Sequence, residues 1–267
     1  MSRYGFVRGT AKKLFRPLAL LALDAGLDFR RLTSLRHLPK YIADLRKFKS
    51  LGGAVTHRYP VLSDYFDQAG TARGQYFHQD LLVAGFIYSK NPTRHIDIGS
   101  RIDGFVAHLA AFRKVEVMDV RPLHDTGHPN ISFLQADLMD RDSAHDQATD
   151  SLSSLHAIEH FGLGRYGDPL HPSGHVEGFN NMARMLRPGG QLYISFPIGR
   201  SSAVHFNAHR IFHPRDILSW AHSENELKLE RFDYVDDDGA LHTNVDVHGA
   251  ELNVRNGCGI YTFSKAR

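Results

Sequence analysis

The stretch that most constrains this chain is Arg94-His-Ile-Asp-Ile-Gly-Ser-Arg-Ile-Asp-Gly-Phe105. Ile96 and Ile98 are β-branched and follow the turn-prone pair Asn91-Pro92, so residues 95–98 read as a buried strand. Asp97 stands near the C-terminal end of that strand, and Gly99 and Gly104 bracket a short loop. Phe105-Val-Ala-His-Leu-Ala-Ala-Phe112 then has helical apolar spacing. A strand, a glycine turn and a helix start in succession gather backbone N–H groups at one place, where a ligand can meet them.

From Arg94 onward the same alternation continues. Strands are expected at 95–98, 115–119, 131–136, 151–155 and 191–196, and helices at 104–112, 141–147, 175–186 and 214–222. Two further strands, 227–236 and 259–264, are joined by a long polar loop and read as an antiparallel pair. The fold class is therefore α/β, a doubly wound and mostly parallel sheet with a C-terminal antiparallel hairpin. A ligand is expected at the C-terminal edge of the strands, near the reversal of strand order. Residues 1–90 read as a mostly helical region, with a basic amphipathic stretch at Lys40–Phe48, a break at Ser50-Leu-Gly-Gly53 and a helix over Tyr76–Tyr88. The expected division is 1–90, helical, and 91–267, α/β.

Composition narrows the class. At 267 residues and 42% hydrophobic, the chain can build one large α/β core with an appendage. A formal net charge of +3 gives no reason to expect a nucleic-acid partner. The single cysteine, Cys258, excludes an internal disulfide framework and fits a reducing, cytoplasmic compartment. No apolar run approaches the roughly 20 residues of a membrane-spanning helix. Leu14–Leu27 is apolar but carries Arg16, Pro17 and Asp24, so it reads as an N-terminal helix. With the upstream basic residues, that helix either packs on its own domain or makes a peripheral contact with a membrane surface.

Four landmarks carry a family resemblance. They are Asp97-Ile-Gly99, Asp119 ending Val115-Glu-Val-Met-Asp119, Asp137 in Phe133-Leu-Gln-Ala-Asp137, and Asp150-Ser-Leu-Ser-Ser-Leu-His-Ala-Ile-Glu159-His160 with the following Met185-Leu-Arg-Pro-Gly-Gly190. In that order, residues 94–267 resemble the class I S-adenosylmethionine-dependent methyltransferases, and more narrowly a methyltransferase-like family of unknown function associated with polysaccharide biosynthesis. The resemblance implies S-adenosylmethionine as cofactor. Asp119 would accept both ribose hydroxyls, and it lies 22 positions after Asp97, near the roughly 20-residue spacing of a ribose-reading acid. Asp137 would accept from the adenine amino group and Asp97 would hold the methionyl ammonium. Gly99, Ser100, Arg101, Val120 and Leu138 complete the implied cofactor site. An acid at a strand end is as often a turn or helix cap, but three in register argue against that.

The glycine loop departs from the family pattern Gly-x-Gly-x-Gly. Here it is Gly99-Ser-Arg-Ile-Asp-Gly104, so Arg101 and Asp103 take the second and third glycine places. Arg101 would point into solvent, pair with the methionyl carboxylate, or block the pocket. The loop also fails the dinucleotide fingerprint, which disfavours a nicotinamide enzyme.

Eighteen histidines mark the chain. His156 or His160, just past the fourth strand, is the expected base that assists a hydroxyl acceptor. His156-Ala-Ile-Glu159-His160 also spells the inverted zinc-protease pattern, which on a helix would place both histidines on one face, with His171, His175 or Glu177 as a third ligand. Arg165 and Tyr166, in the glycine-rich segment Phe161–Asp168, and His205, Asn207, His209 and Arg210 are the expected acceptor-binding residues. The expected function is O-methylation of a small-molecule or glycan acceptor, a saccharide or sugar-containing precursor. The rival readings are a methyltransferase-fold protein without catalysis and a zinc-dependent hydrolase; no metal is expected under the leading one.

Overall fold

The computed structural model describes residues 33–124, 127–223, 226–248, 252 and 254–267. The apolar segment Leu14–Leu27 lies outside the described residues. The chain divides into two compact units, one ending at Thr71 and the other running Ala72–Arg267. In the first, a 3₁₀ turn, Thr33–His37, leads into helix α1 (Leu38–Ser50). Pro39 sits in the first turn, where its missing N–H costs nothing. The helix stops at the expected break, Leu51-Gly-Gly53.

The second unit opens with α2 (Gln75–Lys90). The sequence reading placed this helix in the N-terminal region. In the structure Val83, Ala84 and Ile87 share a buried cluster with Phe105, Val106, Leu109, Val115 and Val117, so the helix belongs to the α/β unit. Its start is tied to the far end of the chain: Gly74 N–H donates to Gly239 O at 3.0 Å and Gln75 Nε2 to Asn256 O at 2.9 Å.

The strands are β1 (His95–Ile98), β2 (Val115–Asp119), β3 (Ile131–Gln135), β4 (Thr149–Leu155), β5 (Leu186–Ile198), β6 (Ala203–His205), β7 (His209–Ile211), β8 (Leu227–Val235), β9 (Leu241–His242) and β10 (Gly257–Lys265). Eight of them form one sheet in the order β3-β2-β1-β4-β5-β10-β8-β9. β1 through β5 pair in parallel, and β10 runs antiparallel between β5 and β8. The order reverses between β1 and β4, where both strands end at the same edge. A second core cluster of Ile96, Ile98, Leu152, Phe179, Ile194 and Phe196 shows that the central strands are buried on both faces, as parallel strands are.

Helices α3 (Ala107–Ala110), α4 (Gly174–Met185) and α5 (Asp216–Ser223) complete the unit. The helix expected at 104–112 is a π-type turn, Ile102–Val106, followed by the single turn of α3; Gly104 breaks the regular path at φ −123°, ψ −107°. The helix expected at 141–147 is only the turn Arg141–Ser143. Asp140 caps it by accepting from Asp142 N at 3.0 Å, and Ala144 is already extended. The hairpin β6–β7 was not expected.

Candidate functional site

At the sheet's C-terminal edge, strands β1 to β4 open a cleft that is partly open to solvent. Gly99, Asp119, Val120, Asp137, Leu138, His156, His160 and Tyr166 all line it, so eight of the expected site residues meet at one place. Gly99 has φ +70°, and a Cβ there would lie 2.8 Å from the Ala157 Cβ; only glycine lets β1 turn this close to the end of β4. Asp137 accepts from Met139 N at 2.9 Å and so shapes the turn after β3. Asp119 is held by its own neighbour: Arg121 donates to it from its backbone N at 2.8 Å, from Nε at 3.0 Å and from Nη2 at 2.6 Å. The Arg121 guanidinium lies 4.3 Å from the centre of the Tyr166 ring.

Asp97 is not brought to the cleft. It is fully buried. Its Oδ1 accepts from Ser100 N (3.1 Å), and its Oδ2 from Ser100 Oγ (2.7 Å) and Ser153 Oγ (2.6 Å). Ser153 Oγ also meets His95 Nε2 at 3.0 Å, and His95 Nδ1 meets Ser151 Oγ at 2.8 Å. Burial pushes the Asp97 carboxyl up to about 6, against the serine hydrogen bonds, and pushes His95 down to about 3. The lone pairs expected for a methionyl ammonium are thus committed to an internal network. Ser100 belongs to the same network, donating from its backbone N and its Oγ to Asp97 and accepting from Leu155 N at 3.0 Å. Arg101 takes the solvent option: it pairs with Asp103 at 2.9 Å, both side chains are more than half exposed, and its guanidinium lies 5.5 Å from the Tyr76 ring centre.

His156 directly follows β4 and holds a left-handed φ of +53°. Its side chain is 6% exposed and that of Glu159 is 2% exposed, and His156 Nδ1 lies 2.9 Å from Glu159 Oε1. Because a carboxylate only accepts, Nδ1 carries a proton in this contact and Nε2 is the nitrogen left to titrate. Neither His156 Nε2 nor Glu159 Oε2 has a hydrogen-bond partner. Burial pushes His156 down, but Cys258 and Glu159 push harder the other way and hold it well above the usual histidine value. Tyr76 of α2 covers it, with ring centres 4.9 Å apart. Gln79, one helical turn on, accepts from Ser195 Oγ at 2.7 Å and from the Cys258 thiol at 3.5 Å. His160 sits in a separate 3₁₀ turn, Ile158–His160. Its Nδ1 donates to Ala208 O at 2.7 Å, and burial lowers its pKa despite Glu159.

The positive φ at His156 removes the helix that a zinc reading of His-x-x-Glu-His requires. His171 and Glu177 face each other at 3.6 Å, and His175 packs on Phe212 and Trp220, where burial lowers it to about 4. Among the described residues no group of three or more His, Cys, Asp or Glu side chains is arranged to hold a metal ion.

The glycine-rich segment is an organised loop. Asp168, itself buried, accepts from Gly162 N at 2.8 Å, Gly164 N at 3.2 Å and Tyr166 N at 3.1 Å. A Cβ at Gly162, φ +75°, would lie 2.1 Å from His171 O. Arg165 donates to Ala208 O at 2.7 Å and so ties the loop to the β6–β7 turn. His205 and Asn207 are exposed on that hairpin, and the His205 and His209 rings are 5.1 Å apart; none of the three lines the cleft. Arg210 corrects the sequence reading. It is 4% exposed and donates to Phe161 O at 2.6 Å and Pro172 O at 3.1 Å, so it staples two backbone segments and has no face for an acceptor. Sequence reasoning also missed Arg121, Asp168, Tyr76 and Gln79. Only Arg121 had a local signal, an arginine two positions beyond a strand-end acid.

A family model described as "Caenorhabditis protein of unknown function, DUF268" matches residues 124–218, from just before β3 into α5. No curated protein matches the sequence. The (4+2) cyclase SpnF is 13% identical, with TM-score 0.51 over 87% of this chain and 96% of that one. A protein named as a sarcosine dimethylglycine methyltransferase, from Galdieria sulphuraria, is 14% identical, with TM-score 0.51 over 70% and 84%. The N-methyltransferase NodS from Bradyrhizobium japonicum, in complex with S-adenosylhomocysteine, is 14% identical, with TM-score 0.49 over 73% and 89%. The fold is that of the class I S-adenosylmethionine-dependent methyltransferases, as the sequence landmarks implied. A cyclase shares it equally well, so the fold alone does not fix the reaction. No helix among the described residues is long and apolar enough to cross a membrane.

Proposed function

We propose that this protein is an S-adenosylmethionine-dependent methyltransferase that acts on a hydroxyl acceptor. The observation that carries the proposal is a convergence: Gly99, Asp119 and Asp137, from three successive strand ends, share one cleft with a buried histidine whose Nε2 is free. The cleft residues suit the cofactor. The two carboxylates supply acceptors for ribose hydroxyls (Asp119) and an adenine amino group (Asp137), and Val120 and Leu138 supply apolar wall beside them. S-adenosylmethionine, when bound, supplies an electrophilic methyl group. The chain's own contribution is alignment and proton removal. Glu159 fixes the His156 ring by accepting from Nδ1–H, which leaves Nε2 to take the acceptor's proton as its oxygen becomes nucleophilic. Tyr76, which packs on the His156 ring, and Tyr166, which lines the cleft, help to exclude water. A saccharide or sugar-containing precursor is one hydroxyl acceptor of this kind.

The test is calorimetric titration of the full chain with S-adenosylmethionine and S-adenosylhomocysteine, followed by a methyl-transfer screen over hydroxyl acceptors. Saturable binding is expected, with His156→Ala keeping the affinity and losing transfer. No binding at millimolar ligand would overturn the proposal.

A further inference from the structure

Helix α1 wears its amphipathicity outward. Leu38, Ile42, Leu45 and Phe48 recur at i, i+4, i+7 and i+10, which places them on one face. In a water-soluble unit that face turns to the core. Here α1 has no buried residue; Leu38 is 40% exposed, Ile42 38% and Phe48 52%, and Leu51 just beyond is 77% exposed. Among the described residues, it is the polar side of the helix that Tyr65 packs on. Lys40 pairs with Asp44 at 2.8 Å, Tyr65 Oη donates to the same Asp44 at 3.2 Å, and the Lys40 ammonium lies 4.7 Å from the Tyr65 ring centre. Charge adds a second constraint. Between residues 33 and 51, Arg36, Lys40, Arg46, Lys47 and Lys49 stand against the single acid Asp44.

We propose that α1 is a peripheral docking helix for an anionic lipid bilayer, with the Leu38–Ile42–Leu45–Phe48 stripe entering the acyl boundary and the flanking lysines and arginines meeting the headgroups. An apolar stripe rimmed by cations, on a helix of low overall hydrophobicity, is the composition that lies in a membrane interface. A protein partner would have to match the same excess of positive charge around an apolar stripe, whereas an anionic bilayer offers both chemistries over any area.

The experiment is co-sedimentation of the full chain with phosphatidylcholine vesicles prepared with and without phosphatidylglycerol. Binding to the anionic vesicles is expected, at least about tenfold stronger than to the neutral ones. Phe48→Asp should abolish it, and Lys47→Glu with Lys49→Glu should weaken it about tenfold or more. These positions are exposed, so unchanged unfolding transitions should accompany both variants. Failure to bind either vesicle, or equal binding to both, overturns the proposal. A dimer in solution that Phe48→Asp dissolves, without vesicle binding, overturns it in favour of a second copy of the chain.

Discussion

Arg121 closes a fork onto Asp119, with Nε and Nη2 reaching the two carboxylate oxygens at 3.0 and 2.6 Å. The side-chain hydrogen bond to Asp119 raises the guanidinium's pKa, so Arg121 stays charged. A ribose that uses this carboxylate has to compete with the arginine for the same lone pairs. The Asp119 side chain is 13% exposed but that of the arginine is 48% exposed, so water on the arginine's side keeps the competition modest. Arg121→Ala should therefore bind S-adenosylhomocysteine about three- to tenfold more tightly than the parent, while Asp119→Ala should lose most of its affinity. Calorimetric titration of both variants decides it: weaker binding by Arg121→Ala would make the arginine a ligand-holding residue instead of a competitor.

His156 gives the site a pH dependence whose sign is fixed by geometry. A base works only when deprotonated, and the Cys258 and Glu159 neighbours outweigh burial to hold the imidazole above 6.5. The rate of methyl transfer should rise with pH along a limb centred above that value. Glu159→Gln should move the limb down, and Cys258→Ala should do so as well. Stability runs the other way. A group with a raised folded-state pKa stabilises the fold below its unfolded value, and that contribution is lost as pH climbs through the folded value. Denaturant titrations of the parent and His156→Gln across neutral to alkaline pH should converge as pH rises; a constant gap would reject the ion pair.

Asp168 is the anchor of the Phe161–Asp168 loop, because three backbone N–H groups end on it. Replacing it with alanine leaves those donors without a partner in a partly buried loop. Asp168→Ala should cost about 1–3 kcal/mol of stability by urea denaturation. It should also open the loop to limited proteolysis near Arg165. Unchanged cleavage would mean that Gly162 and the Arg165 contact to Ala208 suffice to hold it.

Much of this was legible in the sequence, and the exceptions share a cause. The strands β1 and β2 fall residue for residue where β-branched residues and strand-end acids placed them, because Ile96, Ile98, Val115 and Val117 recur at the two-residue period of a strand. The convergence of Gly99, Asp119 and Asp137 followed from the strand order. What sequence spacing does not carry is the direction of a polar side chain. Asp97 faces Ser153 instead of the cleft, and Arg210 faces backbone carbonyls. Both outcomes depend on neighbours 56 and 49 positions away. The His-x-x-Glu-His pattern likewise says nothing of the left-handed turn at His156 that separates its two histidines.

Asp97 should leave a mark on stability. Its unfolded value is near 3.8 and burial lifts it to about 6 in the fold, so the folded state favours the protonated acid. The stabilisation is fully present below 3.8 and disappears as pH passes 6. Over that window the site should lose about 3 kcal/mol. The stability difference between the parent and Asp97→Asn, measured by urea denaturation at pH 4 and pH 7, should shift against the parent by an amount of this order. A pH-independent difference would place the titration elsewhere.

Arg210 separates a structural from a substrate-binding role most cleanly. Its guanidinium is buried beside Asp168, and burial lowers its pKa while Asp168 opposes that shift. Its donors go to the carbonyls of Phe161 and Pro172, which belong to the two ends of the segment that frames the cleft. Removing it strands those carbonyls and opens a cavity between the segments. Arg210→Ala should cost about 2–4 kcal/mol in denaturant unfolding. Arg210→Lys should recover only part of that loss, since one ammonium cannot span both carbonyls in the fork's geometry. An acceptor-binding arginine would behave differently, with full stability and a raised KM for the acceptor alone, and that pattern would return Arg210 to the role its sequence position suggested.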